Sequence, residues 1–377
     1  MVRIAFIYIA EAYQAYHAAA AMFDLMQRDG VEVDVFHIDD TVPEHLDLLA
    51  RAHGAAPVTS HKLDAGLAGR AIQSVKLLGL AKPQVLAHNR HLFERYDALV
   101  STEDGIVRLF SDRPVSERPL RILITHGVGM RHLPSAGNRE GMDLIIAKGE
   151  GDVEQWHTRG DFAPGRIVAG GYPKLASASR LSTGMTPLFD NDNPTVLYNP
   201  HKEPRERSWD RFFPALLEGF RKDRSRNLIV APHVKMFRRR SESVRAKLRA
   251  LSDDTILVDP GSHRSLDNSY TEIADIYVGD VSSQVVEFLA RPRPCVFLNA
   301  HGASWQGNPN YALWQFGEVV DRPEDVMDAI ARAPQLHPQF AQAQMREVHR
   351  RLGDSSEASI VQTADLIHAF IAENARP

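Results

Sequence analysis

Short apolar runs bounded by turn residues recur along the chain, with helix-period stretches between them, and this alternation limits the fold more than any other feature. The clearest runs are Ile4–Ile9, Val31–Phe36, Ala98–Ser101, Ile122–Thr125, Leu144–Ala147 and Ile167–Ala169. After a gap come Val196–Tyr198, Leu228–Ala231, Ile256–Val258, Ile276–Val278 and Val296–Leu298. Continuous Ile, Val and Leu without polar alternation is the pattern of strands buried on both faces. Helical periodicity fits Ala12–Met26, Trp209–Phe220, Ser283–Ala290 and Glu324–Ala331. Strands alternating with helices predict the α/β class, with doubly wound, Rossmann-like parallel sheets. The polar, Ser/Asn/Asp-rich stretch at 176–194 lacks periodicity and reads as a linker. The 377 residues suffice for about two domains. The expected organisation is an N-terminal domain over 1–178, a linker over 179–194, a C-terminal domain over 195–355 and a last helical segment, 356–377, packing back on the first domain. Open parallel sheets bind ligands outside the carboxyl ends of their strands, so two of them in tandem predict a cleft lined by those ends.

Charge and cysteine content narrow the functional classes. Lys plus Arg total 44 and Asp plus Glu 48, a net charge of −4, which argues against a nucleic-acid binder. The charge is unevenly spread, however. Residues 221–249 carry Arg221, Lys222, Arg224, Arg226, Lys235, Arg238, Arg239, Arg240, Arg245, Lys247 and Arg249 against only Asp223 and Glu242. Such a run is either a solvated helix face or a surface attracted to phosphates and anionic membranes. The single Cys295 makes no internal disulfide and no zinc-ligand cluster is visible, so a reducing, cytoplasmic setting without metal or cofactor is expected. No run approaches the ~18 apolar residues of a membrane span. The apolar start is cut short at Glu11, before any signal-peptide cleavage site.

Chemistry should therefore lie in the loops after the strands. His126 directly follows the run ending at Thr125, flanked by Gly127 and Gly129, which let a ligand approach the backbone. Imidazole there is a candidate general base, or simply a turn residue. His233 and Lys235 follow the run ending at Ala231, where Pro232 fixes the chain direction and both side chains could face an anion. After Ile276–Val278 comes Gly-Asp280-Val-Ser282-Ser283, opening a helix whose free N–H groups and two hydroxyls form either an ordinary N-cap or a phosphate site. A Gly-x-Gly-x-x-Gly turn after Ile9, a Walker-type loop and a Gly-x-Ser-x-Gly elbow are all absent.

In order, these motifs resemble the CDP-glycerol glycerophosphotransferase family of teichoic-acid-type polymer synthases and primases, which have the glycosyltransferase-B fold. Thr125-His-Gly-Val-Gly-Met-Arg131 looks like the family's Trp-His-Gly-Thr-Pro-x-Lys, with Arg131 in the place of Lys. Gly171-Tyr-Pro-Lys174 looks like Gly-Tyr-Pro-Arg, and Leu197-Tyr-Asn-Pro-His-Lys-Glu203 echoes Leu-Tyr-Ala-Pro-Thr-x-Arg. Pro232-His233 matches a Pro-His motif. Asp280-Val-Ser-Ser-Gln-Val-Val-Glu287-Phe288 is similar to Asp-Tyr-Ser-Ser-x-x-x-Asp-Phe. The resemblance covers roughly residues 120–320.

The resemblance implies a transferase that moves glycerophosphate, or a related polyol phosphate, from a CDP-alcohol such as CDP-glycerol to a hydroxyl of a glycan or lipid-linked acceptor, releasing CMP. It implies two facing domains, with the donor on the second and the acceptor on the first beside Gly127, Gly129 and Arg131. In that reading His126 takes the acceptor proton. His233 is the second catalytic residue, stabilising the charge that builds on the leaving CMP, and Ser282, Ser283, Arg205, Arg207 and Lys235 hold the donor phosphates. Pro260, Gly261, Ser262, His263, Asp280 and Glu287 are placed around the nucleotide. A lipid-linked acceptor would put the chain at the inner face of the cell membrane, in contact through 221–249. Two alternatives stay open. One is a nucleotide-sugar glycosyltransferase or UDP-sugar 2-epimerase of the same architecture, and the other a non-catalytic binder of anionic glycans.

Overall fold

A computed structural model describes residues 1–66, 78–126, 137–160, 162–163, 165–183, 186–282 and 284–374. Gly127, Gly129, Arg131 and Ser283 lie outside the described residues. The chain divides into two compact units: the described parts of Met1–His126, Leu133–Arg180 and Arg350–Pro377 make the first, and those of Leu181–His349 the second. Among the described residues, no helix is long and apolar enough to cross a membrane.

In the first unit the strands are β1 (Val2–Tyr8), β2 (Val31–His37), β3 (Ser60–Lys62), β4 (Ala98–Ser101), β5 (Leu120–Ile124), β6 (Leu144–Ala147) and β7 (Ile167–Ala169). They form one parallel sheet in the order β3-β2-β1-β4-β5-β6-β7. The direction of winding reverses between β1 and β4, where Ile4 pairs with Ala98 and Phe6 with Val100. A switch point of this kind leaves a crevice at the carboxyl ends of the two strands. β4, β5 and β6 are wholly buried, β1 is buried from Ile4 onward and β2 from Val35 onward, and Ile7, Phe93, Leu99, Leu123 and Trp156 belong to a single core. β3 was invisible as an apolar run because it is a polar edge strand, partnered on one side only and mostly exposed.

The second unit repeats the plan with β8 (Thr195–Asn199), β9 (Asn227–Val230), β10 (Ile256–Val258), β11 (Ile276–Gly279), β12 (Cys295–Leu298) and β13 (Glu318–Val320). Their order is β10-β9-β8-β11-β12-β13, again all parallel, with the reversal between β8 and β11. Tyr198, Phe212, Leu216, Val278 and Ile330 belong to its core. The helix Trp209–Lys222 carries its apolar residues at 212, 213, 216 and 220, one helical face turned onto the sheet. β13, a three-residue edge strand, is the second strand that the apolar runs did not predict.

Arg350–Pro377 belong to the first unit, and the helix Ala358–Asn374 packs on the helix Ala15–Met26. Ile360 meets Ala20 and Ala176, and Thr363 Oγ1 donates to the Gly170 carbonyl at 2.8 Å. Arg28 pairs with Asp365 at 2.8 Å. Gly171 has a φ of +81°, and a Cβ there would stand 2.6 Å from the Asp354 carbonyl oxygen and 2.7 Å from Ser359 Cβ. Only glycine combines that left-handed backbone with so close a contact.

Candidate functional site

In the first unit a polar cluster occupies the switch point. Ser101 ends β4 with its hydroxyl donating to the Ile7 carbonyl of β1 at 2.7 Å, which ties the two strand ends together. Thr102 and Glu103 follow immediately. Gln14, on the short helical turn after β1, bridges them: its Nε2 donates to Glu103 Oε1 at 2.6 Å, and its Oε1 accepts from Thr102 Oγ1 at 3.0 Å. His126, at the end of β5, places Nδ1 2.6 Å from the Thr102 carbonyl oxygen. A carbonyl can only accept, so Nδ1 carries the hydrogen and neutral His126 keeps its lone pair on Nε2. The Gln14 amide nitrogen lies 3.4 Å from that lone pair. Burial holds the His126 pKa below the ordinary imidazole value despite the opposing pull of the Glu103 carboxylate, with Lys148 and Arg139 lowering it further. The group is therefore an uncharged base at neutral pH.

Behind it, His17 is buried, 6.0 Å ring to ring from His126 and 5.6 Å from Tyr172, with no hydrogen-bond partner for its Nδ1. Desolvation first, then Lys174, His126 and Lys148, push its pKa well below the usual value. Lys148 is buried and pairs with Asp152 at 2.8 Å.

In the second unit the switch point is organised by Asp280, which ends β11 and is 0% exposed. Its carboxylate accepts from the backbone N–H of His201 (2.9 Å), Ser208 (2.7 Å) and Val281 (2.7 Å), and from the Ser208 hydroxyl (2.9 Å). It lies against the loop 200–208 and binds it at both ends, at His201 and Ser208. Desolvation wins over these hydrogen bonds and raises its pKa to about 6. Beside this loop stands His233. Its backbone N–H donates to the Pro200 carbonyl at 3.0 Å, and its Nδ1 accepts from the Lys235 backbone N–H at 3.2 Å. An occupied Nδ1 acceptor leaves the hydrogen on Nε2, the reverse of His126. Burial, then His201, Lys202 and Lys235, lower its pKa to about 4. His201 lies 5.8 Å away, ring to ring.

The other expected residues are distributed around this point. Arg205 is exposed, without a partner among the described residues, whereas Arg207 Nε bonds Asp210 at 2.8 Å. Lys235 is half-buried. Ser282 is buried, its hydroxyl 3.4 Å from the Gln284 N–H as acceptor, and the helix it opens, Gln284–Phe288, has only five residues. Its macrodipole is correspondingly small, so the phosphate-binding case shifts toward His233, Arg205 and Lys235. Glu287 is buried on the same short helix. In the loop after β10, Asp259 accepts from the N–H groups of Gly261 (2.9 Å) and Ser262 (2.8 Å) and from Tyr270 OH (2.7 Å). Pro260 is buried there, and Gly261, Ser262 and His263 face outward. Of the eleven basic residues in 221–249, Lys222, Arg224, Arg226, Arg245 and Arg249 are engaged with acidic neighbours. That reads as a solvated surface more than as a free cationic patch. Among the described residues, no three His, Cys, Asp or Glu side chains are grouped to hold a metal.

Gln14, His17, Thr102, Glu103 and Lys148 were not singled out from the sequence. Thr102 and Glu103 could have been found by taking the residues just past each predicted strand. Gln14 and His17 carry no such mark, because sheet order alone brings them there.

No protein-family model matches this chain, and no curated protein matches it. Solved structures do. The wall teichoic acid polymerase TagF aligns with a TM-score of 0.65 at 13% identity, over 99% of this chain and 89% of that one. UDP-GlcNAc 2-epimerase from Neisseria meningitidis, bound to UDP-GlcNAc, aligns at 0.61 and 12%, over 99% and 100%. MnaA from S. aureus, in complex with UDP, aligns at 0.62 and 14%, over 100% and 99%. This likeness shows the fold: two doubly wound α/β units of the glycosyltransferase-B type.

Proposed function

We propose that the protein is a transferase that moves glycerophosphate, or a related polyol phosphate, from a CDP-alcohol to a hydroxyl of a glycan or lipid-linked acceptor. The observation that carries the reading is the opposite tautomers of the two strand-end histidines. His126 offers a lone pair at Nε2, fixed by its bond to the Thr102 carbonyl, and suits proton abstraction from the acceptor hydroxyl. His233 offers an Nε2–H, fixed by the Lys235 N–H, and suits donation to a phosphate oxygen that gains charge. The acceptor oxygen forms its bond to the β-phosphorus as the bond to the CMP oxygen breaks. The proton goes to His126 and the charge on CMP is met by His233, with Lys235 and Arg205 in support. Positioning and charge neutralisation supply most of the barrier reduction in phosphoryl transfer. The solved structures of similar fold support a nucleotide-linked donor, one being a teichoic acid polymerase. A lipid-linked acceptor would bring exposed Arg239 and Arg240 toward an anionic membrane surface, which vesicle co-sedimentation tests.

The experiment is CMP release from CDP-glycerol, offered with polyol, sugar and lipid-linked acceptors. Release that depends on His126 and on an acceptor supports the reading; no release with any acceptor refutes the donor. UDP-sugar epimerisation is the second reading, favoured by Glu103 lying beside His126 as an additional acid–base group. UDP-GlcNAc turnover in the same preparation would establish it instead.

A further inference from the structure

A feature of the second unit that the transfer reading leaves unused is a pocket of about 200 Å³ lined by Trp305, Asn308, Tyr311 and Gln315, with Gly307 and Ala312. It lies in the segment that follows β12, on the carboxyl-end side of the sheet where ligands of such folds sit. The pocket is firmly built. Asn299 pins the preceding loop, its Nδ2 donating to Asp321 Oδ1 at 2.7 Å and its Oδ1 accepting from the Ala303 N–H at 2.8 Å. A tight turn then brings the Asn308 N–H to the Trp305 carbonyl at 3.0 Å, with Gly307 at a φ of +72°. Buried Trp314 stands behind the lining rings. Tyr311 packs on it at 4.6 Å between ring centroids and Trp305 at 6.2 Å, and its indole N–H donates to the Asp280 carbonyl at 2.8 Å.

The chemistry of the walls selects the ligand. Two half-buried aromatic rings offer electron-rich faces, and no Asp, Glu, Lys or Arg lines the pocket. A phosphate or carboxylate would find no counter-charge. The indole N–H of Trp305, the phenol of Tyr311 and the amide of Gln315 have no hydrogen-bond partner among the described residues. Asn308 spends its Oδ1 capping the Asn310 N–H at 3.0 Å, which leaves its Nδ2 as the remaining donor. Aromatic faces for the C–H side of a ring, with free donors and acceptors around its rim, suit a molecule that is apolar on its faces and hydroxylated at its edge. The volume is below the roughly 300–1,000 Å³ of sites that enclose a drug-sized ligand, so the pocket fits one ring and not a nucleotide. We propose that this pocket binds a neutral pyranose unit of a glycan. The proposal does not rest on the CDP-alcohol reading, since it requires neither the donor nor turnover.

The test is saturation-transfer NMR on the full chain, with a panel of neutral gluco-, galacto-, manno- and N-acetylated pyranosides and their disaccharides. Signal from at least one saccharide is expected, weakened ~10-fold in affinity by Trp305→Ala, a loss in line with one aromatic contact. Exposed Gln315→Ala, which removes no packing, should weaken it ~3-fold while the circular dichroism spectrum stays that of wild type. CMP affinity should be unchanged in both variants. Absence of transfer to every saccharide, transfer indifferent to both substitutions, or displacement of the saccharide by CMP each overturns the proposal. None of these outcomes depends on whether CDP-glycerol is turned over.

Discussion

Replacing Asp280 with asparagine should change the stability of the protein in a pH-dependent way whose sign is opposite to that of most buried carboxylates. Asp280 has a folded-state pKa of about 6, against about 3.9 in an unfolded chain. The folded state therefore binds more protons than the unfolded state between those values. Its contribution is fully present below about pH 4 and is lost as pH rises through about 6. Two pKa units at about 1.36 kcal/mol each make the loss about 3 kcal/mol. Asparagine does not titrate, and near pH 4 it differs little from the protonated acid, since either presents one acceptor and one donor to the same N–H groups. The stability of Asp280→Asn minus that of wild type should therefore rise by about 2 kcal/mol between pH 4 and 7, the greater part of that total. Urea denaturation of both proteins at several pH values measures this, because every other titration is common to the pair and cancels. A difference that stays flat or falls across the range would refute the reasoning. An ionised carboxylate kept there against its burial cost can accept from all four donors, three from the loop 200–208 and the Val281 N–H, which the neutral amide cannot. CMP affinity should accordingly fall in Asp280→Asn even where the variant is the more stable protein.

Other outcomes follow from the same geometry. His126→Ala should lower CMP release by ~10²–10⁴-fold. In wild type, kcat/KM should fall as pH drops through the depressed His126 pKa, below about 6.5, because the lone pair on Nε2 is then protonated; retained turnover or the absence of that acid limb removes the base assignment. His233→Gln, which keeps an N–H donor, should retain ~10-fold or more of the activity lost in His233→Ala, and equal loss in both would argue against the donor role. Gly171→Ala should cost about 2–4 kcal/mol in denaturant unfolding, from the positive φ and the two close contacts, and a loss under about 1 kcal/mol would mean that the segment 354–359 yields easily.

The fold was legible wherever burial is complete. Each apolar run lies on a strand, because a parallel strand covered on both faces needs continuous Ile, Val and Leu. β3 and β13 escaped because Ser-His-Lys and Glu-Val-Val hold too few apolar residues to make a run, whereas β7 and β10, edge strands of the same length, are apolar throughout. The site was legible where one residue stands directly after a strand, as His126 and His233 do. It was not legible where strand order creates the neighbourhood, since Gln14 and Glu103 are 89 positions apart yet share a 2.6 Å bond. Asp280 shows a third case. Its motif pointed to a ligand, whereas its bonds to the N–H groups of 201 and 208 come from the order of β8 and β11 in the sheet and left no mark in the sequence. The pocket around Trp305 left no mark in the sequence, as its aromatics fit the usual pattern of a core segment.

The return of Arg350–Pro377 to the first unit sets an order of events on the ribosome. All the strands of the first sheet are synthesised early, but the cover for Ala20 and Ala176 and the segment locked against Gly171 are made only after the second unit. The described part of the second unit, Leu181–His349, is one continuous stretch and can close as soon as it emerges. At about 5–20 residues per second, the first must wait many seconds with an apolar helix face in water. The unit begun first thus closes only after the second has been made, and the interval is when chaperones would meet this chain.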